Sequence, residues 1–237
     1  MMKHDIVFDQ DATLRFKQEA EILTTLDHPR LLKMHKTFST LSTVFLVGEY
    51  CEGVTLRKII QQQGAMETQQ ACSIMGQLID VLHYAHQQGI VHRDVKPANI
   101  MVNANGEIKL MDFGLARRQM NSELTQTGQL LGSPRYMSLE QLTGGKVTSK
   151  SDFFAVGCVF VELLSGKPLF KGIDFTSMLV KRLLWSLPES EEIRANLDPA
   201  IYEVLQGCLQ PRAADRLHGD FTTGDLVTRA REWATLR

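Results

Sequence analysis

The apolar positions change period along the chain. Between Asp11 and Leu23, Leu14, Phe16, Ala20 and Leu23 stand among charges, a spacing that predicts an amphipathic helix ended by His28-Pro29. Leu31 to Phe38 and Thr43 to Tyr50 read as two short strands. Gly53 marks a turn, and Thr55 caps a short helix through Ile60. Downstream, Ile74, Leu78, Val81, Leu82 and Ala85 recur at helical spacing until Gly89 stops the helix. Ile100 to Val102 and Ile108 to Leu110 flank Asn105-Gly106, the pattern of a β-hairpin. Phe153 to Leu164 is apolar on nearly every side, which predicts a central buried helix ended by Gly166 and Pro168. Asp198-Pro199 opens another helix with proline at its first position. Strands come early and helices dominate later, so the expected class is α+β, with a small sheet-bearing part and a larger helical part.

Composition narrows the function classes. The 237 residues are 43% hydrophobic, enough for a real core and contrary to disorder. Basic and acidic residues number 26 and 27. A chain held to nucleic acid through phosphates carries a basic excess, so no nucleic-acid partner is expected. The longest apolar stretch, Phe153 to Leu164, is too short to be a membrane segment. No basic, apolar leader opens the chain, and Cys51, Cys72, Cys158 and Cys208 form no C-x-x-C pair. Both features point to free thiols in a reducing, cytoplasmic setting. His83 and His86 lie about one turn apart and read as packing or helix-surface residues.

The chemistry is concentrated in His92-Arg93-Asp94-Val95-Lys96-Pro97-Ala98-Asn99, followed by Asp112-Phe113-Gly114. Two carboxylates, an amide and a lysine fall on loops beside the predicted hairpin. Phosphoryl transfer needs such a set: a carboxylate to take the proton of an attacking hydroxyl, oxygen ligands for Mg²⁺, and a cation on the moving group. The protein supplies mainly position and electrostatics.

In these motifs the chain resembles the protein kinase family, most closely the bacterial serine/threonine kinases of eukaryotic type, over nearly its whole length. The motif set is a standard example of catalytic sequence signatures. The resemblance implies a two-lobed kinase-like fold, with residues 1–50 as an incomplete N-lobe (helix C and two strands) and 51–237 as a mainly helical C-lobe. It implies ATP and Mg²⁺ as cofactors and proteins bearing Ser or Thr as substrates. Asp94 takes the place of the catalytic base and Lys96 that of the lysine near the γ-phosphate; Lys96 is also the serine/threonine pattern. Asn99 and Asp112 match the metal ligands. Glu49 and Cys51 match the hinge positions whose backbone meets adenine, with Met101 beneath the ring. His92 and Phe113 match a stacked column joining the lobes, with Leu23 and Met34 above them. Glu19 matches the helix glutamate that pairs with the nucleotide-binding lysine, and Gly114 completes the Asp-Phe-Gly motif. Ser138-Leu139-Glu140 resembles the end of an activation segment, with Glu140 paired to Arg216, and Asp152 and Gly157 match the start of the central helix. Ser133 falls where relatives place a hydroxyl facing the catalytic Asp. Thr125 and Thr127 are the natural phosphorylation acceptors, and Arg93 could pair with their phosphates.

The sequence departs from the family at its front. No Gly-rich loop and no V-A-I-K lysine precede Glu19. The expectation is a start assigned late, which would leave the 237-residue chain impaired as an enzyme. The alternative is a pseudokinase that binds nucleotide or partners without turnover. Gly48 stands just before the hinge, where a larger side chain is usual, and predicts an opening behind the adenine site. The pattern specifies neither an oligomeric state nor the acceptor protein.

Overall fold

The computed structural model describes residues 21–39, 44–113, 134–170, 175–184 and 199–216. Residues 21–25 are helical, within the reach of the predicted first helix, and Leu23 and Leu26 are buried. Strands β1 (Met34–Ser39) and β2 (Val44–Gly48) form a two-stranded antiparallel sheet with Phe38 opposite Phe45. Strands β3 (Val54–Thr55), β4 (Ile100–Val102) and β5 (Ile108–Leu110) form a second sheet in the order β3-β4-β5, antiparallel throughout. Helices α1 (Leu56–Gln63), α2 (Thr68–Gln87), α3 (Leu139–Leu142), α4 (Ser149–Ser165), α5 (Phe175–Leu183) and α6 (Pro199–Cys208) make up most of the rest. Few strands followed by many helices match the expected α+β class.

Local chemistry explains most boundaries. Thr55 Oγ1 accepts the Lys58 amide at 3.4 Å and opens α1. Helix α4 starts four residues before the apolar run that announced it, because its first turn is polar. The Thr148 amide donates to Ser151 Oγ at 3.2 Å there, and Gly166, at φ 67°, ends the helix. The hairpin register is Ile100 opposite Leu110 and Val102 opposite Ile108, as the two apolar runs suggested. Its turn is longer than Asn105-Gly106. Asn103 Oδ1 accepts the amides of Asn105 and Glu107 at 2.9 and 3.0 Å, so one side chain organises residues 103–107. Strand β3 was not legible, since two residues carry no period.

Helix α4 is the hub. Thirteen of its residues, Ser151 through Leu163, are buried. Each large apolar side chain there contributes roughly 1.5–3 kcal/mol. Helix α2 packs against it, with the His86 ring edge-on to Phe153 at 5.4 Å. Helix α6 comes closer still. A Cβ on Gly157 would stand 2.8 Å from Leu209 Cγ, so only glycine lets that end of α6 lie on α4. The two sheets are tied together where Leu31 bridges Leu110. There the Leu32 amide donates to Leu110 O at 2.9 Å and the Leu110 amide to Arg30 O at 2.8 Å. This places the hinge segment 49–52 over the hairpin that carries the site.

Candidate active site

The loop preceding β4 is fixed from below by one carboxylate. Asp152, in the first turn of α4 and 1% exposed, accepts the His92 amide on Oδ2 and the Arg93 amide on Oδ1, both at 2.8 Å. His86 Nε2 reaches the same Oδ2 at 2.7 Å. These bonds hold Arg93 at φ 67°, a region that non-glycine residues rarely enter. A backbone strained in this way persists only where its surroundings over-determine it, and such positions concentrate at functional sites.

The His92 ring serves as a second brace. Nδ1 accepts the Asp94 amide at 3.2 Å and Nε2 lies 3.0 Å from Met111 O, so the pairing calls for a neutral ring with its proton on Nε2. Burial pushes its pKa below the ordinary value, against the pull of Asp152 and the Met111 carbonyl. The ring also meets Phe113, centroid to centroid, at 4.6 Å. Leu23 lies in the main hydrophobic core, with Met34 half-buried against it.

Asp94 then points at its own small network. Lys96 Nζ donates to Asp94 Oδ2 at 2.6 Å. Asn99 Nδ2 donates to the Asp94 carbonyl at 2.9 Å and to Oδ2 at 3.1 Å. The Met111 amide donates to Asn99 O at 2.8 Å, so Asp112 follows directly from a residue bonded to both Asn99 and His92. Asp112 is exposed, at φ 54°. One carboxylate is thus held by a cation and an amide, and a second, solvated carboxylate directly follows Met111, whose amide is bonded to Asn99.

At the hinge, the Glu49 amide donates to Lys33 O at 2.8 Å, and Glu49 Oε1 accepts the Lys33 amide at the same distance as well as Lys109 Nζ. Burial raises the Glu49 carboxyl, but these two lysines outweigh it and hold it below the ordinary range. Cys51 and Met101 line a cavity of about 400 Å³ together with Pro29, Arg30, Tyr50 and Asn103. Glu107 and Ile108 also line it, which puts it beside the hairpin turn, at the end of β4 away from Asn99. Burial raises the Cys51 thiol, so it is not activated as a nucleophile. The opening expected behind Gly48 is closed: a Cβ there would stand 3.2 Å from both Met34 Sδ and Lys33 O. Met34 takes the space that a larger side chain would have used.

The stretch 134–142 leans on α4 and on two buried arginines. Arg216 Nη1 and Nη2 donate to Glu140 Oε1 and Oε2 at 2.6 and 2.8 Å, and Ser151 Oγ adds a third bond at 2.6 Å. Burial pushes Glu140 up, but these donors overcome it and its carboxyl lies below the ordinary value. Tyr136 OH donates to Glu162 Oε2 at 2.6 Å, and burial raises the Glu162 carboxyl. Gln141 Nε2 donates to Arg93 O at 2.9 Å, joining this stretch to the loop that carries Asp94. Glu19, Gly114, Thr125, Thr127 and Ser133 lie outside the described residues.

A family model described as the protein kinase domain matches residues 2–223. The chain belongs to the protein kinase family. It is 34% identical to the serine/threonine-protein kinase PrkC of Bacillus subtilis, over 95% of this chain and 34% of that protein. It is 36% identical to the serine/threonine-protein kinase PknB of Mycobacterium leprae, over 86% of this chain and 34% of that protein. A probable PknB of Lactococcus lactis shares 31% over 90% of the chain. The chain spans about a third of the length of these curated relatives. In kinase terms, the two-stranded sheet belongs to the small lobe and α4 is the central helix of the large one.

Sequence reasoning missed several members of this candidate site. His86, read as packing, binds Asp152; its position on the inner face of α2 was the only hint. Asp152 was placed on the central helix without a role, although a lone acid entering a long apolar run signals a buried polar task. Gln141, three residues after Ser138, fits a capping box, and Ser138 N does donate to Gln141 Oε1 at 3.0 Å. Lys109 and Arg182 gave no signal. Among the described residues no three His, Cys, Asp or Glu side chains cluster to hold a metal.

Proposed function

We propose that this chain is the catalytic domain of a cytoplasmic serine/threonine protein kinase, moving the γ-phosphoryl group of ATP to Ser or Thr hydroxyls of protein substrates. The observation that carries the reading is the Asp94 carboxylate, held between Lys96 and Asn99 on a loop whose backbone Asp152 and His92 fix. Asp94 accepts the hydroxyl proton as the acceptor oxygen attacks. Lys96, already beside Asp94, offsets negative charge on the transferring group.

The residues fit a magnesium site. Asn99 gives its Nδ2 to Asp94, which leaves Oδ1 as a ligand atom, and Asp112 offers a solvated carboxylate. Mg²⁺ keeps most of its water and phosphate ligands and needs only one or two protein oxygens, so the lack of a three-residue cluster is no obstacle. When bound, the ion would neutralise phosphate charge and align the leaving group. The Glu49–Cys51 backbone and Met101 would receive the adenine ring. Arg93 would pair with a phosphate on Thr125 or Thr127.

Asp94→Asn tests the assignment. Transfer of labelled γ-phosphate to a generic protein acceptor should fall by about 10³-fold or more, with ATP binding retained. Undiminished transfer would remove Asp94 from its role. The second reading that the sequence left open is a pseudokinase that binds nucleotide or partners without turnover. ATP binding without transfer, both in this chain and in one extended by the in-frame codons upstream, would select it.

A further inference from the structure

Arg182, on α5, is fully buried, and among the described residues no carboxylate pairs with it. Its Nε donates to Met137 O at 2.6 Å, its Nη2 to Pro134 O at 2.5 Å and its Nη1 to Met178 O at 2.9 Å. The guanidinium lies 4.4 Å from the Phe170 centroid and 6.0 Å from that of Phe154, two rings that stack on each other. Burying a cation is costly, and a side chain that merely filled space would be apolar. What the guanidinium offers instead is a flat fork of donors that reaches two carbonyls of one loop at once, which a lysine ammonium cannot match in geometry.

We propose that Arg182 is a positioning residue for the protein acceptor: it clamps the backbone of residues 134–138 onto α5 and so sets the ledge along which an acceptor chain lies beside Asp94. The proposal rests on the kinase reading above. Three contacts fix the ledge. Arg182 holds its main chain at Pro134 and Met137, Glu162 holds the Tyr136 hydroxyl, and Gln141 carries its far end to the carbonyl of Arg93, next to Asp94. Arg182 alone among the three grips the two carbonyls that bracket Arg135 and Tyr136. Freeing them would let the ledge shift while Asp94, Lys96 and Asn99 keep their own bonds. The acceptor should then bind less well at nearly unchanged turnover.

The test uses the full chain with Arg182→Lys, which keeps the charge and stem but not the fork, and Phe170→Leu, which keeps the fork but removes its ring. Hydrogen exchange should quicken by about tenfold at the amides of Arg135 to Ser138 in both variants, with α4 unchanged. The acceptor KM should rise by about tenfold, with kcat and the ATP KM within about twofold. Exchange that stays as in the parent, or quickens equally throughout α4, overturns the clamp. A kcat that falls in step with acceptor affinity overturns the acceptor role and leaves Arg182 a general structural residue. If neither the parent chain nor one extended by the in-frame codons upstream transfers phosphate, the kinase reading fails instead, and exchange at 135–138 still decides whether Arg182 grips the ledge.

Discussion

The loop at 92–94 and the stretch at 134–142 both hang on α4, yet they are held by opposite chemistry. The first presents amide donors and is gripped by a carboxylate, Asp152. The second presents carbonyls and a carboxylate and is gripped by guanidinium groups, Arg182 and Arg216. Adjacent residues divide the task, since Ser151 bonds Glu140 while Asp152 bonds His92 and Arg93. Asp152 sits in the first turn of α4, where the helix dipole favours a negative charge, so burying it there costs less. Arg216 has no such help and instead donates to four acceptors, Glu140, Gln210 O, Lys150 O and Pro211 O. Helix α4 thus reaches both regions, through Asp152 in one and through Ser151 and Glu162 in the other, while Arg182 and Arg216 hold the second from other parts of the chain.

The largest break should come at Asp152. Asp152→Ala strips the His92 and Arg93 amides and His86 of their acceptor and removes what holds Arg93 at positive φ. Unfolding free energy should fall by about 3–5 kcal/mol in urea titrations. Exchange should quicken at 92–94 before it does at 134–142. Glu140→Gln should show the reverse order, with a loss of about 2–4 kcal/mol, because the fully buried Arg216 keeps its charge but loses its partner. If both variants loosened both regions equally, α4 would be a single cooperative clamp.

How much of this was readable beforehand follows the same division. Helical spacing found α2, an unbroken apolar run found α4, and Thr55 and Asp198-Pro199 announced α1 and α6, while two apolar runs about Asn105-Gly106 gave the β4–β5 hairpin; Leu78, Ile100 and Phe160 are all buried as those patterns require. The chemistry-bearing loop was readable as well, since Asp94, Lys96 and Asn99 lie within six residues and meet through local bonds. The grips were harder. Asp152 and His86 meet across 66 positions, and Arg182 reaches Pro134 across 48. No local pattern encodes such a pairing. Gly48 misled for a related reason: the side chain that closes its space, Met34, comes from the neighbouring strand.

Acid should separate the two regions by where each gives way. His92 has its folded pKa pushed down by burial, so the unfolded chain takes up a proton that the folded one refuses. Stability from His92 is complete above 6.5, the ordinary value, and falls as pH drops below it. Glu140 is also lowered, since its donors outweigh burial. Its contribution is complete above 4.5 and is lost as pH falls through the folded value beneath that. The acid limb of a stability curve should therefore begin with the 92–94 loop and finish with the 134–142 stretch. His92→Phe should shrink the upper part of the limb, to which His28, also lowered by burial, contributes as well, and leave the lower. A limb unchanged by that variant would mean His92 already binds its proton in the folded chain.

The smallest effect sharpens the comparison most, because it cuts the link between the two regions. Gln141 is half-buried; its Oε1 receives the Ser138 amide and its Nε2 donates to the Arg93 carbonyl. Neither contact is charged, but the freed Ser138 amide and hydroxyl are buried. Gln141→Ala should cost about 1–2 kcal/mol in unfolding free energy. Its mark should appear in coupling. With Gln141 present, Asp152→Ala and Glu140→Gln should show a non-additive energy of about 0.5–1 kcal/mol in a double-mutant cycle. With Ala at that position the same cycle should close to within error. A coupling that survived Gln141→Ala would have to run through α4 itself, from Ser151 to Asp152, and the two grips would then be parts of one device.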